Sequence, residues 1–173
     1  LSADDSSEMS REELRNRFRP KVTRLLLVGE SPPANETFFY NADSKLYVHT
    51  FAAFTRAGLV SENSAVFLDA FRGLGCFLDD LCHSPVNSLA KPARRAARNR
   101  SVRGLALRLQ EICPRVVVCV MRAIEPAVRS AMEVARMQET KFHSVPFPAQ
   151  GHQLQYVEQL ADIVTGFDLS GGV

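Results

Sequence analysis

Short, wholly apolar runs alternate along this chain with longer segments whose apolar residues recur every three or four positions. Leu25-Leu26-Leu27-Val28 is apolar at every position and stops at Gly29. A run that is apolar on both faces suits a central strand of a parallel sheet. Residues 76–81, 115–121 and 141–147 read as three further strands, the clearest core being Val116-Val117-Val118-Cys119-Val120. Pro85 prevents the strand over 76–81 from continuing as a central strand. Helical spacing appears over 46–57 (Tyr47, Phe51, Phe54), 64–72 (Val66, Phe67, Ala70, Phe71) and from Val102 to Ile112. It appears again over 125–137, with Pro126 in the first turn, and over 152–167 (Leu154, Val157, Leu160, Ala161, Val164). Ser10-Arg11-Glu12-Glu13 has the form of a capping box and predicts a helix to about Arg19, stopped by Pro20. Residues 1–9 are small, polar and acidic and read as a disordered lead-in. Residues 30–45 and 83–101 read as loops, the second ending in a basic segment.

Strands alternating with helices predict βαβ units, and so a three-layer α/β/α domain over residues 10–173 built on a four-stranded parallel sheet. In such sheets ligands sit beyond the carboxyl ends of the strands. Segments 29–40, 79–88, 121–126 and 147–153 meet there, and any chemistry is expected among them.

Composition narrows this only a little. The chain has 173 residues, 46% of them apolar and 23% charged, as expected of a globular protein. A net charge of +2 is too small to argue for a partner. No apolar run approaches the roughly 18 residues that cross a bilayer, and the polar, acidic start does not read as a signal peptide. A cytoplasmic monomer without membrane contact is the expectation. Cys76, Cys82, Cys113 and Cys119 fall in two C-x5-C pairs, which is not a usual zinc or redox spacing. Reduced, mostly buried thiols and no metal are expected.

Four landmarks in order give the strand ends a family likeness. Gly29-Glu30-Ser31-Pro32-Pro33 directly after the first strand resembles the first motif of the uracil-DNA glycosylase superfamily, with Gly29, Glu30 and Pro32 matching its Gly-Glu-x-Pro-Gly branch. Phe39 is the choice among Phe38, Phe39 and Tyr40 for the family's base-stacking Phe. Asp79 takes the place of the Asn that reads the base edge, with Pro85 six residues on. Phe147-Pro148-Ala149-Gln150-Gly151 falls where a His-Pro-Ser type motif is expected. The resemblance spans about residues 23–165 and implies strand order 2-1-3-4, a base flipped from DNA, stacking on Phe39, reading by Asp79, and N-glycosidic hydrolysis by water that Glu30 positions. No cofactor is implied. Three departures stand out: Ser31 replaces the water-activating Asp, Asp79 the Asn, and Phe147 the His that stabilises the departing base. The cysteine spacing also differs from that of the iron-sulfur branch, so no cluster carries over.

Each of these residues also has a plain structural reading. Glu30 at a strand end suits water activation or stabilisation of an oxocarbenium-like sugar, or else a loop salt bridge. Asp79 and Asp80 point to opposite faces of one strand, so only one reaches a pocket. An ionised Asp79 there accepts only, and suits a base edge with amino donors, or else it is a turn or capping residue. Arg94, Arg95, Arg98 and Arg100, in a stretch from Lys91 to Arg103 with no acidic residue, suit phosphates or a solvated face. His152, after Gly151, stands as donor to a leaving base or as an ordinary helix-start histidine; His49 reads as structural, and His143 lies early in the fourth strand, far from its carboxyl end. Three functions therefore remain open: a DNA glycosylase-like enzyme acting on single-stranded DNA or damaged duplex; an inactive nucleic-acid- or nucleobase-binding protein of the same fold; and a small-molecule hydrolase or interaction domain.

Overall fold

A computed structural model describes residues 9–167 and Leu169. Residues 1–8, which make up nearly all of the expected lead-in, lie outside the described residues. In chain order the elements are α1 (Arg11–Arg17), β1 (Leu25–Gly29), α2 (Lys45–Arg56), α3 (Phe67–Gly73), β2 (Cys76–Asp80), α4 (Lys91–Ile112), β3 (Val116–Cys119), α5 (Glu125–Val134), β4 (Lys141–Ser144) and α6 (Gln153–Thr165). The four strands form one parallel sheet in the order β2-β1-β3-β4, as expected.

The sheet centre follows from the apolar runs. Every residue of β1, β2 and β3 is buried. β1 is flanked on both sides, Leu25 lying opposite Cys76 and opposite Val116. β4, the outer strand opposite β2, is alternately exposed and half-buried and begins at Lys141, a charge that discourages edge-to-edge pairing. Right-handed crossovers in this order place α4 and α5 on one face and α2 and α3 on the other. α6 joins the second group, with Tyr156 Oη 2.7 Å from Thr50 Oγ1 of α2.

The capping box forms as its sequence predicts: Glu13 N donates to Ser10 Oγ at 3.2 Å and Ser10 N to Glu13 Oε2 at 2.7 Å. β3 and β4 are shorter than expected, ending at Cys119 and Ser144 rather than near Met121 and Phe147. Pro146 and Pro148 have no N–H to give to a ladder. The largest departure is α4. Its helix starts at Lys91, within the segment expected to be a loop, and continues unbroken for 22 residues. Pro92 sits in its first turn, where the missing N–H costs nothing, and Ala and Arg are strong helix formers. The helical period was invisible there because the inward side chains of this half include Arg94 and Arg98, which face a carboxylate instead of the apolar core.

The chain turns one way from β1 to β2 and the other way from β3 to β4. Between β1 and β3 lies a switch point, the place where an open α/β sheet leaves a crevice at its carboxyl edge.

Candidate functional site

Two adjoining cavities, of about 680 Å³ and 440 Å³, open at that edge. Gly29, Glu30, Arg94, Arg122 and His152 line the first; Pro32, Phe38, Phe39 and Asn35 line the second. Ser31, Pro33, Leu46, Asp80, Asn87 and Phe147 line both, so the two are lobes of one cleft.

The Gly29–Pro33 turn is held by backbone. Leu81 N donates to Gly29 O and Cys82 N to Glu30 O, each at 2.8 Å, carrying the β1–β2 ladder past the strand ends. Val86 N donates to Ser31 Oγ at 3.2 Å, and Ala34 N to Asn87 Oδ1 at 3.0 Å, which ties the loop after β1 to the loop after β2. Gly29 is required by space: a Cβ at this position would lie 2.6 Å from Asp80 Oδ1.

Glu30 is buried and its side chain is clamped. Arg94 Nε donates to Glu30 Oε1 at 2.8 Å and Arg98 Nε to the same oxygen at 2.6 Å, while Arg94 Nη2 donates to Oε2. Burial works against its charge, but the hydrogen bonds and charges of Arg94 and Arg98 outweigh it and hold the carboxyl below its ordinary range. A carboxylate so neutralised is a weak base for water. This is a correction to its expected role: Glu30 lines the cleft but spends its acceptors on two arginines.

The two aspartates of β2 divide as strand geometry requires, in the opposite sense to the one expected. Asp79 lines neither lobe. Its Oδ2 accepts from Arg108 Nε at 2.7 Å, and its Oδ1 lies 2.9 Å from His83 Nε2 and 3.6 Å from Arg15 Nε. With both oxygens engaged on the far side of the strand, Asp79 is not available to read a base. Asp80 faces the cleft instead, paired in register with Gly29. Arg15 Nη2 donates to its Oδ2 at 3.2 Å, and no described residue hydrogen-bonds its Oδ1. Burial raises Asp80, Arg15 pulls it down and Asp79 pushes it up, leaving it at about 6. Burial also raises Asp79, but His83 and Arg108 bring it down to about 2.

These opposite shifts have a pH consequence. A carboxyl raised in the folded state stabilises fully below its unfolded value, and that contribution is lost as pH rises through the folded value. For Asp80 the window runs from about 4 to about 6, and the loss is on the order of 3 kcal/mol. Asp79 contributes the reverse, present above about 4 and lost only toward pH 2. Chemical denaturation at pH 4.5 and pH 7.5 is therefore expected to show Asp80→Asn gaining on the native chain as pH rises. Parallel pH profiles for the two proteins would contradict the assignment.

The aromatic residues are also reassigned. Phe38, Phe39 and Tyr40 are all buried. Phe39 reaches the wall of the second lobe but is 3% exposed. Its ring lies 5.1 Å from Tyr40, 5.9 Å from Tyr47 and 5.6 Å from Phe71. A stacking platform needs an open face, and Phe39 is a core residue without one. Tyr40 Oη accepts from Leu78 N and donates to Leu78 O, both at 2.8 Å, and so closes the outer edge of β2. The open ring is Phe147, 37% exposed and shared by both lobes.

His152 lines the first lobe, exposed, with Nδ1 3.2 Å from Gln155 Oε1, and gives no side-chain cap to α6. Gly29, Glu30, Ser31 and His152 thus line the first lobe together, with Pro32 and Phe39 in the neighbouring lobe. Arg94 also lines the first lobe, while Arg95 and Arg98 face a groove on its outer side. Arg100 lines none of these cavities, because it lies six residues past Arg94, about 240° around the helix; it does not belong to the site. The sequence reading missed Asp80, Phe147, Asn87 and Arg122. Asp80 had a sequence signal in its adjacency to Asp79 and Phe147 in its place at the expected His-Pro-Ser position, whereas Asn87 and Arg122 had only their place in the strand-end segments.

Of the four cysteines, Cys76, Cys82 and Cys119 are buried and Cys113 is exposed, all as free thiols. Among the described residues no three His, Cys, Asp or Glu side chains converge on a metal position, and no helix is long and apolar enough to cross a membrane. Comparison with protein-family models gives no match, and comparison with curated proteins gives none either.

Proposed function

We propose that the cleft binds one unpaired or extruded nucleotide of DNA, its base against Phe147 and its backbone toward the arginines at the start of α4. The observation that carries this reading is the open Phe147 ring in a cleft where the buried residue Asp80 presents an oxygen that no described residue hydrogen-bonds. The ring offers stacking, the carboxylate oxygen an acceptor for a base N–H, and Arg94 and Arg122 positive charge on the same wall. The order of strand-end landmarks shared with the uracil-DNA glycosylase superfamily supports the same class of ligand.

Stacking on one aromatic side chain contributes about 1–3 kcal/mol per base. Phe147→Ala is therefore expected to weaken binding of a short single-stranded oligonucleotide by roughly 5- to 150-fold in fluorescence anisotropy at fixed salt. Phe39→Leu, a core change, is expected to lower stability more than affinity. Native affinity in the Phe147→Ala protein would sink the proposal.

Hydrolysis of the N-glycosidic bond is a second reading, favoured by one observation: Asp80, unlike Glu30, is a cleft carboxyl that titrates near neutrality. On this reading Asp80 takes over the water, which the family likeness has Glu30 position. The same oligonucleotides carrying uracil, hypoxanthine or xanthine, scored for abasic sites in single turnover, separate binding from catalysis. Turnover lost in Asp80→Asn supports an enzyme; no abasic site from any substrate leaves a binding protein.

A further inference from the structure

A second concavity, of about 570 Å³, lies on the outer side of Arg94, between the first turns of α4 and the start of α5. Lys91, Arg94, Arg95 and Arg98 line it together with Ala123 and Pro126, and no acidic residue does. Glu125, the acid at the start of the facing helix, is engaged by Arg129 at 2.8 Å. Neither helix has a side-chain N-cap, so the positive ends of two helix dipoles add to the four cations. The groove shares Arg94 and Ala123 with the nucleotide cleft.

The orientation of Arg94 and Arg98 defines what this groove presents. Each guanidinium gives its Nε edge to Glu30 on the inner side. Arg98 Nη1 makes only a 3.5 Å contact, to Ala123 O, and Arg94 Nη1 makes no hydrogen bond to a described residue. The remaining N–H groups are thus held in place and available, a fork suited to phosphate oxygens. Two relations between Glu30 and an incoming anion are conceivable. If the anion displaced Glu30, a carboxylate at 7% side-chain exposure would be left buried without a partner, which is strongly unfavourable. An anion on the outer edges incurs no such penalty, because Glu30 keeps its bonds and continues to fix both arginines.

We propose that this groove is a phosphate site for a dianionic terminal phosphate, with Glu30 as the inner positioning residue that sets Arg94 and Arg98. The proposal rests on the nucleotide-binding reading of the adjoining cleft. Four cations against one carboxylate leave a surplus that a singly charged internal phosphodiester does not match and a phosphomonoester matches better. The occupant is the phosphorylated end of a nucleic acid strand or a free nucleotide.

The test compares oligonucleotides of one sequence ending in a hydroxyl, a 5′-phosphate or a 3′-phosphate, alongside a nucleoside monophosphate and inorganic phosphate, by anisotropy and calorimetry on the full chain. One phosphorylated end is expected to bind at least tenfold tighter than the hydroxyl end. The surface pair Lys91→Ala with Arg95→Ala is expected to bring that ratio close to one. Arg94→Lys, which keeps the charge but loses the fork, and Glu30→Gln, which keeps the shape but loosens the clamp, are each expected to reduce it severalfold. Circular dichroism checks that the variants fold. Equal affinity for phosphorylated and hydroxyl ends in the native chain overturns the proposal, as does a ratio that rises in Glu30→Gln, since Glu30 would then be a competitor of phosphate. A ratio unchanged in the Lys91/Arg95 variant overturns it too, and that variant carries the test if Glu30→Gln does not fold. If no oligonucleotide binds while nucleoside monophosphate or inorganic phosphate still does, the DNA reading fails and the groove stands as a site for free phosphate compounds. If those fail to bind as well, the groove proposal falls with it.

Discussion

Replacing Arg15 by Met is expected to lower the unfolding free energy by about 3–5 kcal/mol, the cost of removing one partner from a buried ion network. At roughly 2–4 °C per kcal/mol for a chain of this size, the melting temperature falls by about 6–20 °C. Arg15 belongs to a helix of only seven residues, yet it is buried and lies between the two aspartates of β2, 3.2 Å from Asp80 and 3.6 Å from Asp79. It also sits over the Phe38 ring at 5.5 Å, so the loop after β1 leans on the same side chain. Met fills much of the same space without the charge, so the loss reads the electrostatics rather than a void. A thermodynamic cycle with Asp80→Asn separates the partners: Arg15→Met should cost much less when Asp80 is already neutral. If Arg15→Met costs under 1 kcal/mol by chemical denaturation, Arg15 does not hold the aspartate pair. The pH profile offers a second check, because without Arg15 the Asp80 carboxyl should titrate still higher.

The second large effect is expected at Gly29. Alanine there places a Cβ 2.6 Å from Asp80 Oδ1, closer than real side chains approach. The obstacle cannot swing away cheaply, since Asp80 is buried and bound to Arg15. Overpacking of this kind costs typically about 1–3 kcal/mol. The strain is aimed at the buried cleft carboxyl of Asp80, whose Oδ1 is free, so oligonucleotide affinity is expected to fall together with stability. Removing the obstacle gives the decisive comparison. With Asp80→Ala in place, Gly29→Ala should be nearly neutral for stability, while affinity stays low. Full additivity of the two substitutions would show that the clash is relieved elsewhere in the structure.

Both predictions concern a site that was partly legible in the sequence. The apolar run 25–28 ending in Gly-Glu-x-Pro marked the strand end, and the alternation of runs and periodic segments marked a parallel sheet with a crevice at its carboxyl edge. What was not legible is instructive residue by residue. Asp79 and Asp80 differ by one position, and strand alternation says that they diverge without saying which faces the cleft; that depends on where α1 and α4 place Arg15 and Arg108. Phe39 and Phe147 are both aromatic residues beside a strand end, but one is enclosed by Tyr40, Tyr47 and Phe71 while the other is open. Burial of that kind arises from segments distant in the chain. The first half of α4 lacked an apolar stripe because its inward face meets Glu30, 64 residues earlier.

By itself, then, the sequence determined the elements and their layering, the first half of α4 excepted, because apolar periodicity and capping are local and the other elements carry their own pattern. The parallel sheet follows from that alternation, and the family likeness supplied the order in which its strands lie. Tertiary structure alone decided the chemistry of the cleft: which carboxylate is clamped, which keeps a free oxygen, and which ring is open. Those properties depend on charge partners and burial contributed by other parts of the chain. An acid's behaviour is set by what surrounds it, and for Glu30 and Asp80 those surroundings were assembled by folding.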